Sequence, residues 1–276
     1  MDANPAPETI TLLYEQVVSS IDEMISGTPV DAWDNHTDLE GWSVRDNLAH
    51  LGAFEAIAAG LAEHAADTDV SHHPRAIGFN ETVERDIELR RSWPVEQVVQ
   101  EFRLATATRL SQIGSWDEAA WETTTLTPFG PMPSINIMPI RIIDLHYHEQ
   151  DMRRATDNPG GLDGEVARFV VARMHGALPK IFGKGGGATP GQSLVINLTS
   201  HAGKTLALQV NEDGKAAFCE QAPEDPTLRI ACDLETYLML HGGRRDWQRL
   251  ESEGMLTVTG DRDLASRVLP AMAVTP

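Results

Sequence analysis

The sequence predicts an α+β protein in two parts: a helical bundle over 1–158 and a smaller α+β domain over 159–276. Three observations predict it. Apolar residues recur at helical spacing through the first part. After "TDNPGG" (156–161) the chain shifts to short strand-like runs punctuated by Gly and Pro. The length of 276 residues exceeds what one core usually supports.

The first helix is expected within "PAPETITLLYEQVVSSIDEMISG" (5–27), with Ile10, Leu13, Val17 and Ile21 on one face and Gly27 as its stop. A linker carrying Trp33 follows. "GWSVRDNLAHLGAFEAIAAGLAEHAA" (41–66) starts a second helix, with Ser43 as N-cap and Asp46 three residues on, close to a capping box. A third helix covers about 77–91, and a fourth is "PVEQVVQEFRLATATRLSQI" with Pro94 at its first turn. Segment 114–139 reads as loop, given Pro128, Gly130, Pro131, Pro133 and Pro139. A further helix carries "RIIDLHYHEQDMRRA" (141–155) and breaks at Asn158, Pro159 and two glycines.

In the second part "GEVARFVVARMHGALPKIF" reads as a helix and "GKGGGATPG" as a flexible link. "SLVINLTS", "KTLALQVN", "AAFCEQA" and "TLRIACD" read as strands, with "NEDG" as a hairpin turn between two of them. Helices over 233–242 and 245–252, a strand at "MLTVTGD" and a last helix at "RDLASRVLP" complete the pattern.

Acidic residues outnumber basic ones 41 to 22, a net charge of −19, which repels nucleic acid and anionic membrane surfaces. Two cysteines, Cys219 and Cys232, build no disulfide framework, and a reducing cytoplasm is expected. The start "MDANPAPE" reads as no signal peptide, and no apolar run approaches the ~20 residues of a membrane span.

Residues 141–155 hold most of the chemistry. Asp144, His146, His148, Glu149 and Asp151 crowd beside an apolar run. Such groups are costly inside a helix face unless paired or ligating. Asp144, His148 and Asp151 at i, i+4 and i+7 form one stripe, with Arg141 just above. His146 points roughly 200° away from Asp144 at 3.6 residues per turn, and Glu149 is also off the stripe. Asp144 and His148 can be an intrahelical pair or two ligands of one divalent ion. In the second helix, His50 lies on the stripe Asn47, His50, Phe54, Ile57 and should face the bundle core. It is either a core histidine satisfied by a neighbour or the third ligand. Zinc, nickel and ferrous iron all accept two histidines and a carboxylate. His36, His64, His72, His73 and His201 read as solvated, and the pair at 72–73 as a loop without a nearby partner.

"GWSVRDNLAHLGAFE" resembles the second-helix signature of DinB-like metal-binding four-helix bundles. "RIIDLHYHEQDMRRATDNPGG" resembles the fourth-helix signature of their mycothiol-dependent branch, the maleylpyruvate isomerase family. "LHGGRRDWQ" and "MLTVTGDRDLASRVLP" are similar to that family's C-terminal domain, of sterol-carrier-protein type. The resemblance covers nearly the whole chain. It implies metal ligands at His50, Asp144 and His148. The isomerase has Glu where this chain has Asp144, a shorter carboxylate that alters the geometry at the metal.

The resemblance further implies an enzyme in which a divalent metal, zinc before nickel or iron, activates a small thiol, mycothiol, toward an electrophile. The outcome is isomerisation of a maleylpyruvate-like substrate or S-transfer. Asp151 is assigned to orienting a ligand imidazole or a cationic group. Arg141 and Arg154 are candidates for holding an anionic substrate, or for salt bridges. Asn80, at the start of the third helix, is a candidate site contact or an N-cap. The alternative is a non-catalytic metal protein or a carrier of small apolar ligands. The expected partners are small molecules, with a monomer or homodimer as the assembly.

Overall fold

The computed structural model describes residues 4–73, 75–127, 130–199 and 204–275; His201 and Pro128 lie outside them. The chain divides into two compact units, Ala3–Gly161 and Leu162–Pro276.

The first unit is a ring of four helices. Helix α1 (Pro7–Ser26) packs on α6 (Ser134–Ala155), α6 on α2 (Val44–Ala58), α2 on α4 (Val95–Gly114), and α4 back on α1. Helix α3 (Phe79–Arg91) lies against α2. The stripe that predicted α1 is its buried face: Ile10, Leu13, Val17 and Ile21 are all in the core.

Both ends of α2 are fixed locally. Ser43 accepts from the Asp46 backbone N–H, and the Asp46 carboxylate accepts from the Ser43 N–H at 2.9 Å, a complete capping box. The helix stops at Ala58, short of the expected run to Ala66. Gly60 adopts φ +74°, the Leu61 N–H reaches the Ala56 carbonyl at 2.8 Å, and the Gly60 N–H reaches Ile57. This Schellman closure outcompetes the apolar pattern that continues beyond it.

The proline-rich segment is more ordered than its composition suggested. It holds the short helix α5 (Glu118–Trp121) and an antiparallel hairpin of β1 (Thr124–Thr127) and β2 (Gly130–Pro133). Prolines suit such a two-stranded edge, which needs few ladder donors. Helix α6 then starts at Ser134 and runs through Pro139. Proline has no N–H for the Ile135 carbonyl four residues back, and the Asn4 side-chain amide donates to that carbonyl instead, at 3.2 Å.

The second unit carries α7 (Glu165–Lys180), a π-helical turn (Ile181–Gly185), and a five-stranded sheet. Its strands are β3 (Ser193–Leu198), β4 (Lys204–Val210), β5 (Ala216–Phe218), β6 (Leu228–Cys232) and β7 (Leu256–Gly260), ordered β5-β4-β3-β6-β7. β3 and β6 are parallel and the other neighbours antiparallel. "NEDG" makes the β4–β5 turn: the Asn211 side chain accepts from the Lys215 N–H at 2.8 Å. Helices α8 (Leu234–His241), α9 (Trp247–Ser252) and α10 (Arg262–Ala271) complete this α+β unit. Among the described residues no helix is long and apolar enough to cross a membrane.

Two predictions concern this second unit. Gly260 ends β7 at φ +97°, and a Cβ there would sit 2.3 Å from the Thr227 carbonyl oxygen. Gly254, at φ +75°, has open space around it. Gly254→Ala should cost about 1 kcal/mol, and Gly260→Ala on the order of 3 kcal/mol or more, in denaturant unfolding. Equal costs would remove the argument from close approach. The second prediction rests on His175 and His241, both buried and both lowered from 6.5 to about 4, chiefly by desolvation. Lys204 beside His175 lowers it further, while the Tyr237 carbonyl partly offsets the shift at His241. The unfolded chain takes up these protons first. Stability is therefore full above pH 6.5 and is lost as pH falls from 6.5 toward 4. Unfolding midpoints measured at intervals across that window should fall steadily, with part of the loss removed by His241→Phe.

Candidate functional site

Helices α2 and α6 bring His50, Asp144 and His148 together. Their ligating atoms all lie within 4.8 Å of one another. His50 Nε2 is 3.4 Å from Asp144 Oδ2, and His148 Nε2 is 3.6 Å from Asp144 Oδ1. The two rings meet edge to face with centroids 4.7 Å apart. The Trp42 ring stacks on His148 at 5.5 Å and tilts against His50 at 5.2 Å, closing one side. Asp144 is the most exposed of the three, its side chain 20 % accessible, so the cluster opens to solvent at the carboxylate.

Asn47, one turn before His50, accepts from His148 Nδ1 at 2.8 Å. Its amide nitrogen donates to the Ser43 carbonyl at 2.9 Å and to Thr37 Oγ1 at 3.1 Å. That assignment turns the amide oxygen toward the ring. That bond occupies Nδ1 and leaves Nε2 as the ring nitrogen that faces Asp144.

Burial raises Asp144, but Arg141 first and then His148 outweigh it and hold this carboxyl well below the usual range. Burial lowers His50 below 6.5 despite its hydrogen bond to Asp144. At neutral pH the pair is thus carboxylate and neutral imidazole, the forms a cation takes.

Arg141 is buried. It donates to Asp144 Oδ2 at 2.6 Å and twice to Glu55 Oε1, at 2.9 and 3.1 Å. Its guanidinium lies 3.7 Å from the Phe54 ring centroid. Glu55 also accepts from the Tyr14 hydroxyl at 2.8 Å and has Arg109 at 3.6 Å. Burial and the Glu55 charge push the Tyr14 hydroxyl far up, so it stays a donor.

The other residues singled out in the sequence are placed as follows. Asp151 is fully buried, 3.7 Å from His148 Nδ1, and pairs with Arg154, which also holds Asp38 at 2.7 Å. His146 is buried with Glu149, 3.6 Å away, and Glu149 bonds Ser20 of α1 at 2.6 Å. Asn80 lies inside α3, whose N-cap is Gly78 at φ +62°, so it performs no capping. Among the described residues Asn80 joins none of the triad's hydrogen bonds. His72 and His73 are not isolated, as the loop reading had it, but meet Glu88. His73 is mostly buried, and His64 bonds Asp86 at 2.7 Å.

Sequence reasoning missed Glu55, Trp42 and the role of Asn47. Asn47 shares a stripe with His50, and that spacing was the available signal. Nothing local distinguishes Glu55 from a surface glutamate.

Residues 14–153 match the mycothiol maleylpyruvate isomerase N-terminal domain. The chain belongs to that family. Its fold is also that of a solved mycothiol-dependent maleylpyruvate isomerase, at 17 % identity and a TM-score of 0.57, over 92 % of this chain and 93 % of the other. A histidine-to-alanine mutant of a mycothiol-dependent maleylpyruvate isomerase aligns with the same score and coverage at 15 % identity. Sterol Carrier Protein 2 from Yarrowia lipolytica aligns at 20 % identity with a TM-score of 0.29, over 42 % of this chain and 95 % of its own. No curated protein sequence matches the chain.

In this family member Glu55 is the partner shared by three other buried polar side chains. Glu55→Ala should leave Arg109 without a carboxylate partner and Arg141 with Asp144 alone, and destabilise by about 3–5 kcal/mol. Unfolding titrations check this; a loss under about 1 kcal/mol would show that the network carries no stability.

Proposed function

We propose that the chain is a metal-dependent enzyme that activates a low-molecular-weight thiol, mycothiol, for isomerisation of a maleylpyruvate-like substrate or for S-transfer to an electrophile. The observation that carries this is the convergence of His50, Asp144 and His148, in a member of the mycothiol maleylpyruvate isomerase family, within 4.8 Å.

The donor set suits a divalent ion of the zinc, nickel or ferrous type. Two features of the chain favour that fit: the Asn47 bond that frees His148 Nε2, and the ionised Asp144. When bound, such an ion lowers the pKa of a thiol that reaches it, giving the nucleophilic thiolate near neutral pH. The chain's own residues prepare and limit the site. Arg141 anchors one oxygen of Asp144 and leaves Oδ1 on the His148 side. Its contacts with Glu55 and Asp144 favour a role in positioning Asp144 over gripping a substrate. Asp151 and Arg154 form a pair behind His148 and act on its orientation. Trp42 covers the imidazoles and keeps water from that side.

No cysteine of the chain is required as nucleophile. Burial pushes the Cys232 thiol up to about 12, so it is no thiolate at neutral pH.

The test is metal content together with thiol-dependent turnover. The protein expressed with metal supplied should hold a divalent transition metal, zinc as purified. It should isomerise maleylpyruvate, or conjugate an electrophile, only with mycothiol present. His148→Ala should lose turnover and the metal held at this site. His146→Ala should keep both, at a cost of about 2–5 kcal/mol in stability from the cavity left by a fully buried ring. Metal and turnover lost in His146→Ala but kept in His148→Ala would overturn the ligand assignment. Metal bound with no thiol-dependent turnover in any assay would favour a non-catalytic metal protein.

A further inference from the structure

The first unit contains a second group of side chains able to ligate a metal, linked to the triad through Trp42, whose ring meets His50 and His148 and whose indole N–H bonds Glu84. His72 and His73 lie in the turn that leads into α3, and Glu88 stands on α3. One ligand atom from each lies within 4.8 Å of the others. Glu88 Oε2 is 3.1 Å from His73 Nε2 and 3.9 Å from His72 Nε2. A tetrahedral ion with bonds of about 2.0–2.1 Å separates its ligand atoms by roughly 3.4 Å. The observed separations bracket that value.

An independent observation comes from Glu84, one helical turn before Glu88. Its side chain is 1 % exposed. Oε1 accepts from the Trp42 indole N–H at 2.9 Å. Oε2 is buried, has no hydrogen-bond partner, and lies 3.8 Å from His73 Nδ1. At 3.8 Å it makes no hydrogen bond to the ring, but it stands where a ligand imidazole finds its usual outer carboxylate, which on closing by less than about 1 Å would hold the proton on Nδ1 and free Nε2. In His73, Nε2 is the nitrogen nearer Glu88.

We propose that His72, His73 and Glu88 form a second site for a divalent cation that prefers imidazole ligands, such as zinc, copper or nickel, with Glu84 orienting His73. The site does not depend on the function proposed above. Arg91 competes with the cation. Its Nη1 contacts His73 Nε2 and donates to Glu88 Oε2 at 2.6 Å. Its other nitrogens are anchored elsewhere, Nε on Asp46 at 3.0 Å and Nη2 on the Gly41 carbonyl at 3.1 Å. The guanidinium is rigid and planar, so it must shift as a whole against those anchors to admit the cation, and the second site is the weaker of the two for that reason.

The experiment is a zinc titration of the full-length, metal-stripped protein, with zinc chloride as the only probe. Bound equivalents are measured by calorimetry and by elemental analysis after dialysis. Wild type should bind two equivalents. His148→Ala should bind one. A double variant, His72→Ala with Glu88→Gln, should also bind one, and should keep the thiol-dependent turnover. Arg91→Met should tighten the second equivalent. The proposal is overturned if wild type saturates at one equivalent that His148→Ala abolishes, or if the double variant still binds two. If instead His148→Ala leaves the bound zinc untouched and the double variant loses it, the second site stands and the triad assignment fails. Circular dichroism of each variant confirms that it is folded.

Discussion

The first unit depends on one buried carboxylate. Glu55 sits on α2 and receives Tyr14 from α1, Arg141 from α6 and the nearby Arg109 from α4. Each helix of the ring thus contributes to a single charge cluster. In a low-dielectric interior such a cluster is tolerated only when its members meet in one arrangement. The arrangement therefore selects a relative register of the four helices. Apolar stripes alone would permit several, because hydrophobic contact has no direction. The register of α2 against α6 in turn decides whether His50 meets Asp144 and His148.

Much of this was legible in the sequence, for identifiable reasons. Helical period exposed the buried face of α1, and Ser43 with Asp46 announced the start of α2. The i, i+4 spacing put Asp144 and His148 on one face, and His50 stood out as a histidine on a mostly apolar stripe. These signals are local, and local geometry fixes them. What escaped is long-range. Glu55 and Asn47 acquire their meaning from residues 86 and 101 positions away. The direction of the Arg141 side chain was equally invisible, because an arginine above a carboxylate stripe reads alike whether it faces substrate or a buried partner. The hairpin in segment 114–139 was missed because its prolines are breakers in most contexts yet acceptable in a short edge pair. Helix α6 passes Pro139 with help from Asn4, far away at the start of the chain.

The second unit shows a different balance. Its strands were readable from alternation and turn residues, and the "NEDG" turn from the habit of asparagine to bond its own following backbone. The two buried histidines were not. His175 and His241 flank Tyr237, with ring centroids at 5.6 and 4.3 Å. In the sequence they look like ordinary helix residues, and only the packing keeps them neutral from pH 6.5 down toward 4.

The bond from Asn47 to His148 carries a consequence for charge. Many metal-ligand histidines lean on a carboxylate, which pushes electron density into the ring. Here the partner is an amide, which is neutral. The nearest carboxylate on that side, Asp151, stands farther off and is matched by Arg154. Asp144 is then the one anion among the three proposed ligands, and Arg141 already offsets part of it. A divalent ion held there would retain a surplus of positive charge, inside a chain whose net charge is −19. The surface as a whole repels anions, while such an ion would attract them. A molecule that becomes anionic only on arrival, as a thiol does when it loses its proton, would meet little of the first effect and all of the second.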